Sequence, residues 1–429
     1  MRRLLVLLSL AAFGPAAHAD DLDRPPIEYS KAPTDNAITR LQSRLASGKA
    51  KLGFTDDHGY LKSVLAELGV PEASQVLVFS KTSLQRDRIS PKTPRAIYFN
   101  DDVYVGFCLR GEVLEISAVD PSLGTVFYTL DQEPVERPRF ARQTENCLTC
   151  HGSSLTRNTP GHLVRSVTVD SGGLPFLSAG SYRTDHTSPF HERWGGWYVT
   201  GTHGKMTHRG NSFAPNKRAA DEGFDNSSGQ NLTSLRDCFT TGMYPTPHSD
   251  ITALMVLEHQ AEVHNRIARA TLDVRCALHQ NAELNRAFGE APTYRFESTN
   301  SRIRSAAEGV LKALLFHDEA RLTDSVEGTS GFAKEFASRG PRDSKGRSLR
   351  DFDLTTRLFK HPCSYIIYSE AFDRMPDEVR SLVLKRLHDV LTGKDTDKAF
   401  SHLSVESKLA ILEILRDTKP NLPDYWRAK

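Results

Sequence analysis

From Gln75 onward the chain runs in short apolar bursts, QVLVFS, RAIYFN, VYVGFCLR, VLEISAVD and TVFYTLD, parted by the turn-forming PKTP, NDD, GE and PSLG. Runs of β-branched and aromatic residues bounded in this way predict strands. Within VYVGFCLR, Val103, Val105, Phe107 and Leu109 alternate with Tyr104, Gly106 and Cys108, the two-residue period of a strand. Short turns between successive runs predict an antiparallel meander. Upstream, two short helices are expected around residues 37–47 and 60–68. Residues 20–35 carry Pro25, Pro26 and Pro33 without any period and are expected to form an extended arm.

The middle of the chain is dense in Gly, His, Thr and Arg, with strands expected at LVRSVTVD and GGWYVTG and long loops between them. Loops of that length are often functional. Past Ser249 the pattern becomes helical. Asp250 is placed as an N-cap, and Val256, Val263, Ile267, Ala270, Val274 and Leu278 fall on one helical stripe. Two further helices are expected, one from about Pro376 to Gly393 and one from Ser404 to before Pro420. Residues 323–350, polar and glycine-bearing, are expected to loop out. The pattern predicts an α+β fold with an antiparallel β-rich N-terminal region over residues 20–135, a loop-rich middle over 136–249 and a helical C-terminal part over 250–429.

Ahead of these regions the chain opens MRRLLVLLSLAAFGPAAHADD. Two arginines, an apolar run from Leu4 to Phe13 and the small-residue stretch Ala17-His18-Ala19 have the layout of a secretory signal peptide. Residues 1–19 are therefore expected to be cleaved, with a periplasmic or secreted destination for the rest. The apolar run is shorter than the roughly 20 residues that a bilayer span needs, and no later stretch reaches that length, so no membrane span is expected after cleavage. Arg2 and Arg3 account for the whole formal charge of +2. The remainder is electrically balanced, so net charge gives no support to nucleic-acid binding, and no nucleic-acid partner is expected. At 429 residues with 25% charged, the chain has the length for two or three packed domains.

The densest chemistry is NCLTCHGSS, residues 146–154. Cys147, Cys150 and His151 form C-x-x-C-H, the haem-attachment pattern. Two thiols at that spacing can each add to one vinyl group of a single porphyrin, while the adjacent imidazole binds the iron from one side. A redox-active dithiol would need a strand–turn–helix setting that is missing here. A zinc site would need further ligands at short spacing, and the other cysteines are scattered singly. Those four, Cys108, Cys238, Cys276 and Cys363, could form up to two disulfides in an oxidising compartment.

On the C-x-x-C-H motif and the export signal, the chain resembles a periplasmic c-type cytochrome. The resemblance implies one covalent haem c per chain, attached through Cys147 and Cys150, with His151 as proximal iron ligand. It departs from the small mono-haem cytochromes in placing a β-rich region before the motif, so their fold and their usual sixth ligand are not carried over. Among many later histidines and methionines, His259, on the apolar stripe, and Met206, in THGKMTH, are the candidates for the distal side. Met206 sits beside Lys205 and His208, in what reads as an exposed loop, and His259 reads more readily as a core histidine bonded to a backbone carbonyl. In ERWGGWYVTGTHG, Trp194, Trp197 and Tyr198 could cover a porphyrin, and Arg193, with Arg165, Arg183 and Arg209, could pair with propionates. Glu258 and Glu262 share one helix face and are expected on solvent, with a proton relay or a second metal site as the functional alternatives.

Three functions follow as expectations. The first is electron transfer with a redox partner protein, and the second is a mono-haem oxidoreductase, peroxidase- or oxygenase-like, acting on a small-molecule oxidant at an open distal site. The third is a haem-based ligand-binding or sensory module. A hundred residues suffice for a carrier, so the length of this chain raises the second.

Overall fold

The computed structural model describes residues 22–427. The expected signal segment, residues 1–19, lies outside the described residues. Five strands follow the predicted meander: β1 (Val76–Val78), β2 (Arg95–Phe99), β3 (Val103–Phe107), β4 (Val113–Asp120) and β5 (Gly124–Asp131). Each pairs antiparallel with its predecessor. β6 (Ala141–Gln143) pairs with β5. Further along, β7 (Arg165–Val167) and β8 (Ser181–Arg183) make a separate two-stranded ribbon, and β9 (Trp197–Tyr198) returns to pair with β1. The sheet order is β6-β5-β4-β3-β2-β1-β9. An open sheet edge exposes unpaired N–H and C=O groups, and β6 and β9 extend both flanks of the meander. The sheet thus crosses the boundary expected at residue 135.

Register sorts the sheet into two faces. Opposed pairs such as Val78 and Arg95, Gly106 and Glu115, or Ser117 and Phe127 point to one side. The other side carries Leu77, Tyr98, Val105, Leu114, Ile116 and Val126, all at 2% exposure or less, and builds one apolar core with α1 (Ala37–Ala46) and α2 (Leu61–Leu68). Both helices lie within a residue or two of their predicted bounds. Asn36 starts α1 by accepting from the N–H groups of Ile38 and Thr39.

Along the remaining chain come α3 (Leu148–His151), a single turn, α4 (Lys217–Glu222), and α5 (Ile251–Phe288), a helix of 38 residues. Asp250 caps α5 as predicted, accepting from the N–H groups of Thr252 and Ala253. β10 (Gly201–Thr202) pairs with β11 (Glu327–Gly328). α6 (Glu297–Leu314) packs along α5 and was not among the predicted elements. α7 (Phe332–Ser338) and α8 (Glu370–Asp373) precede the two predicted C-terminal helices, α9 (Asp377–Leu391) and α10 (Val405–Thr418). These helices share a second apolar core with the free face of the sheet. Among the described residues no helix is long and apolar enough to cross a membrane.

Several expectations are corrected. Residues 22–32 do not form a free arm: Leu22, Ile27 and Tyr29 are buried, and the Tyr29 hydroxyl donates to the Thr125 carbonyl at 2.8 Å. Residues 323–350 do not loop out. They supply β11 and α7, and Phe332, Phe336 and Leu349 enter the core. Glu258 and Glu262 are buried, not solvated, because the first half of α5 is enclosed on all sides. Buried charge requires partners; Glu258 meets Arg193, and Glu262 meets Arg157, Arg183 and Arg266. All six cysteines are free thiols, so none of the four scattered ones is bridged.

Candidate functional site

Between the free face of the sheet and the segment around α3 lies a cavity of about 390 Å³. Cys147, Cys150 and His151 line it together with Trp197. The local structure explains the convergence. Cys147 precedes the single turn of α3, so that Cys147 and Cys150, three apart, lie on one face of the turn. Leu148, 4% exposed, anchors the turn in the core, leaving Cys150 exposed and Cys147 half-buried. Burial pushes the Cys147 thiol up to about 11.

His151 is held by its neighbours in a defined tautomer. Its Nδ1 lies 2.9 Å from the Gly161 carbonyl. A carbonyl only accepts, so Nδ1 carries the proton and Nε2 keeps its lone pair. Gly161 returns the contact by donating its N–H to the His151 carbonyl at 2.8 Å. Gly161 is placed in turn by α5. Asn265 accepts from the His162 N–H at 2.9 Å and donates to the His162 carbonyl at 2.7 Å. A Cβ on Gly161 would stand 2.3 Å from Asn265 Oδ1, so only glycine fits there. Burial lowers the proton affinity of His151, which favours the neutral ring a metal ligand needs. The ring packs on Phe127 with centroids 4.9 Å apart.

Opposite stands the floor of the sheet. Arg95 on β2 and Glu115 on β4 pair at 2.6 Å. Tyr104 on β3 lies against His162 with ring centroids 3.8 Å apart. Both His162 nitrogens face hydroxyls, Nε2 that of Ser117 at 3.1 Å and Nδ1 that of Thr125 at 3.3 Å, and burial keeps the ring neutral, its proton affinity well below the ordinary value. Trp197 reaches the wall because Gly195 and Gly196 let the chain press on Val167 and Ser80. At Gly196, φ is +81° and a Cβ would come within 2.7 Å of the Ser80 Cβ. The Trp197 indole donates to the Arg165 carbonyl at 2.7 Å, and Arg165 also lines the cavity while its guanidinium binds the Ser181 hydroxyl.

The other residues singled out from sequence lie elsewhere. His259 is in the helical core, stacked on Phe316 at 4.0 Å, with Nε2 2.8 Å from the Ser364 hydroxyl and Nδ1 3.3 Å from His186. Met206 is buried, 8% exposed, in contrast to the exposed loop expected, and its sulfur accepts from the Thr323 N–H at 3.5 Å. Arg193 binds Glu258 and the Ser188 carbonyl. None of these three is in the cavity lining. Arg183 pairs with Glu262 and Asp185, and Arg209 with the Thr168 hydroxyl. Trp194 is fully buried, and the Tyr198 hydroxyl donates to the Pro91 carbonyl on the far face. Arg95, Glu115 and Tyr104 were not read from the sequence as site residues. Their signal was a charged or polar residue at the in-facing positions of apolar strands, with a glycine between them on β3.

The donor set fits a porphyrin better than a bare ion. Two free thiols and one imidazole with an open Nε2 share a cavity walled by Val78, Ile97, Phe127, Val164, Trp197 and Leu257. Among the described residues no group of three or more His, Cys, Asp or Glu side chains is arranged to hold a metal ion by itself. Compared with protein-family models, with curated proteins and with solved structures, the chain finds no match in any of the three.

Proposed function

We propose that this protein is an exported oxidoreductase that carries one covalent haem c through Cys147 and Cys150, with His151 as the proximal ligand and the opposite side open to a small oxidant. The observation that carries this reading is the His151 arrangement. Nδ1 donates to the Gly161 carbonyl, so Nε2 is left as a fixed lone pair beside two free thiols in one apolar cavity. When bound, the haem iron supplies one-electron redox chemistry and a coordination position for a small ligand. The chain supplies the rest. The α3 turn presents the thiols, Trp197 and Leu257 exclude water, and Arg165 offers a guanidinium to the propionates.

Electron transfer by a six-coordinate iron is the second reading, with a redox protein as partner. It needs a second strong ligand, and the two candidates for that role, His259 and Met206, are engaged with Ser364 and His186 or with Thr323. That observation favours the open distal side. The test is the absorption spectrum of the reduced, periplasmically matured protein before and after carbon monoxide, with His151→Ala alongside. A prompt spectral change in the parent and lost ligation in the variant are expected. An unchanged low-spin spectrum returns the protein to electron transfer, and normal haem ligation in His151→Ala refutes the proximal assignment.

A further inference from the structure

The hydrogen bond that orients His151 is one half of a longer array, and the other half lies on α5. The acceptor for His151 Nδ1 is the Gly161 carbonyl. That carbonyl and the His162 N–H belong to one planar trans peptide, so the two groups leave a single rigid plate from opposite edges. On the far edge Asn265 Oδ1 accepts from the His162 N–H at 2.9 Å. The plate is therefore held between the Asn265 amide and the His151 ring. Hydrogen bonds in series polarise one another. An acceptor drawing on the N–H pushes charge through the amide onto its carbonyl oxygen, which then binds the Nδ1 proton more strongly. A stronger bond at Nδ1 makes Nε2 a better electron donor to a metal.

The plate is fixed at further points. Asn265 Nδ2 donates to the His162 carbonyl at 2.7 Å, and the Gly161 N–H donates to the His151 carbonyl at 2.8 Å. One turn to either side, α5 holds the same loop again: Glu262 accepts from Arg157 Nε at 3.1 Å, and Arg269 Nη1 donates to the Arg157 carbonyl at 3.1 Å. Glu262, Asn265 and Arg269 follow at the three- and four-residue spacing of one helix face. A buried asparagine needs partners of any kind. Asn265, 2% exposed, directs both of its polar groups at the one residue whose N–H shares a peptide with the carbonyl that orients His151. We infer that Asn265 is a positioning residue, which through this peptide fixes and strengthens His151 Nε2 as an iron ligand and so lowers the reduction potential of the iron. The inference rests on the haem reading for the iron, and on the hydrogen bonds alone for the hold on His151.

Asn265→Asp tests this in the full chain matured in the periplasm. A protonated carboxyl reproduces the amide, with a carbonyl to accept from the His162 N–H and a hydroxyl to donate to the His162 carbonyl. Ionised, it loses the donor and sets a charge against that carbonyl. Enclosed beside an uncharged acceptor, it should hold its proton above the usual carboxylate range, so pH selects the intact or the broken array within one variant. Covalent haem is first measured on the denatured protein, and the reduction potential is then followed with pH. The parent, measured alongside, subtracts the other ionisable groups of the loop and helix, His162, His264, Glu262, Arg157, Arg266 and Arg269. Asn265→Asp should match the parent at low pH and rise above it at high pH by about 59 mV, a tenfold change in a one-electron equilibrium. Asn265→Ala should lie above the parent throughout; if it does not fold, the two ends of the Asn265→Asp titration still decide. A potential that tracks the parent at every pH, in a variant whose unfolding midpoint moves, overturns the inference and makes Asn265 a structural prop. If the parent matures without haem, the haem reading fails by itself. Nitrogen NMR of the His151 ring in the unloaded chain then decides: a proton fixed on Nδ1 in the parent and released by ionisation of the Asn265→Asp carboxyl supports the positioning, and one that stays on Nδ1 overturns it.

Discussion

Replacing Glu258 by glutamine isolates one titration inside the core. Glu258 is 0% exposed on α5. One oxygen receives Arg193 Nη1 at 3.1 Å, while Oε1 is sealed from solvent without a partner. Burial penalises the ionised carboxylate more than Arg193 favours it, and the carboxyl is pushed up from 4.5 to about 7. The folded state therefore binds this proton more tightly than the unfolded chain does. By linkage, the stability it contributes is fully present below about pH 4.5 and is lost as the pH rises through about 7. At about 1.4 kcal/mol per pH unit, the gap sets a ceiling of about 3 kcal/mol. Glutamine keeps the shape and does not titrate. Urea unfolding of both proteins from about pH 4 to about pH 8 should show Glu258→Gln gaining on the parent by up to about 3 kcal/mol across that window, and the other titrating groups cancel in the difference. Arg193→Met removes an influence that lowers the Glu258 value, so it should move the window to higher pH. A flat difference, or one that falls as the pH rises, would refute the account of Glu258 as a proton-binding core residue.

Two further outcomes probe the site and its surroundings. Gly161→Ala should force Asn265 Oδ1 away from a Cβ that would sit at 2.3 Å and loosen the clamp on His162. The expected cost is about 1–3 kcal/mol in chemical unfolding, with a changed His151 tautomer in nitrogen NMR; an unaltered tautomer and full stability would show that the glycine is dispensable. His259→Ala should lose its stacking on Phe316 and its Ser364 contact, costing about 2–4 kcal/mol, and should leave the absorption spectrum of the haem-loaded protein unchanged. Conversion from low to high spin would instead put His259 on the iron.

The meander, the Asp250 cap and the two C-terminal helices were readable because each is a local signal, a period or a capping side chain lying within a few residues. The α6 stripe of Ile303, Ala307, Val310, Leu311 and Leu314 has the same helical spacing, yet that helix was not among the predicted elements. The failures share another cause. Glu258 and Glu262 are polar residues that pattern reading assigns to solvent, yet tertiary partners bury them: Arg193 for the first, Arg157 and Arg183 for the second. Residues 323–350 read as a loop because only two short elements and a few large apolar side chains tie them down, and the surfaces that receive those side chains are supplied by distant parts of the chain.

Local sequence by itself determined the strands and their alternation, the helix starts, and the covalent spacing of Cys147, Cys150 and His151, since each depends on bond geometry and side-chain period over a few residues. Tertiary structure alone decided which groups share a cavity. Gly161 and Asn265, more than a hundred residues apart, set the His151 tautomer. β2, β3 and β4 lay Arg95, Gly106 and Glu115 side by side through register. His259 and Met206 were drawn away into the helical core by hydrogen-bond partners that adjoin them only after folding, because the pairing of buried polar groups is settled between elements and not along them.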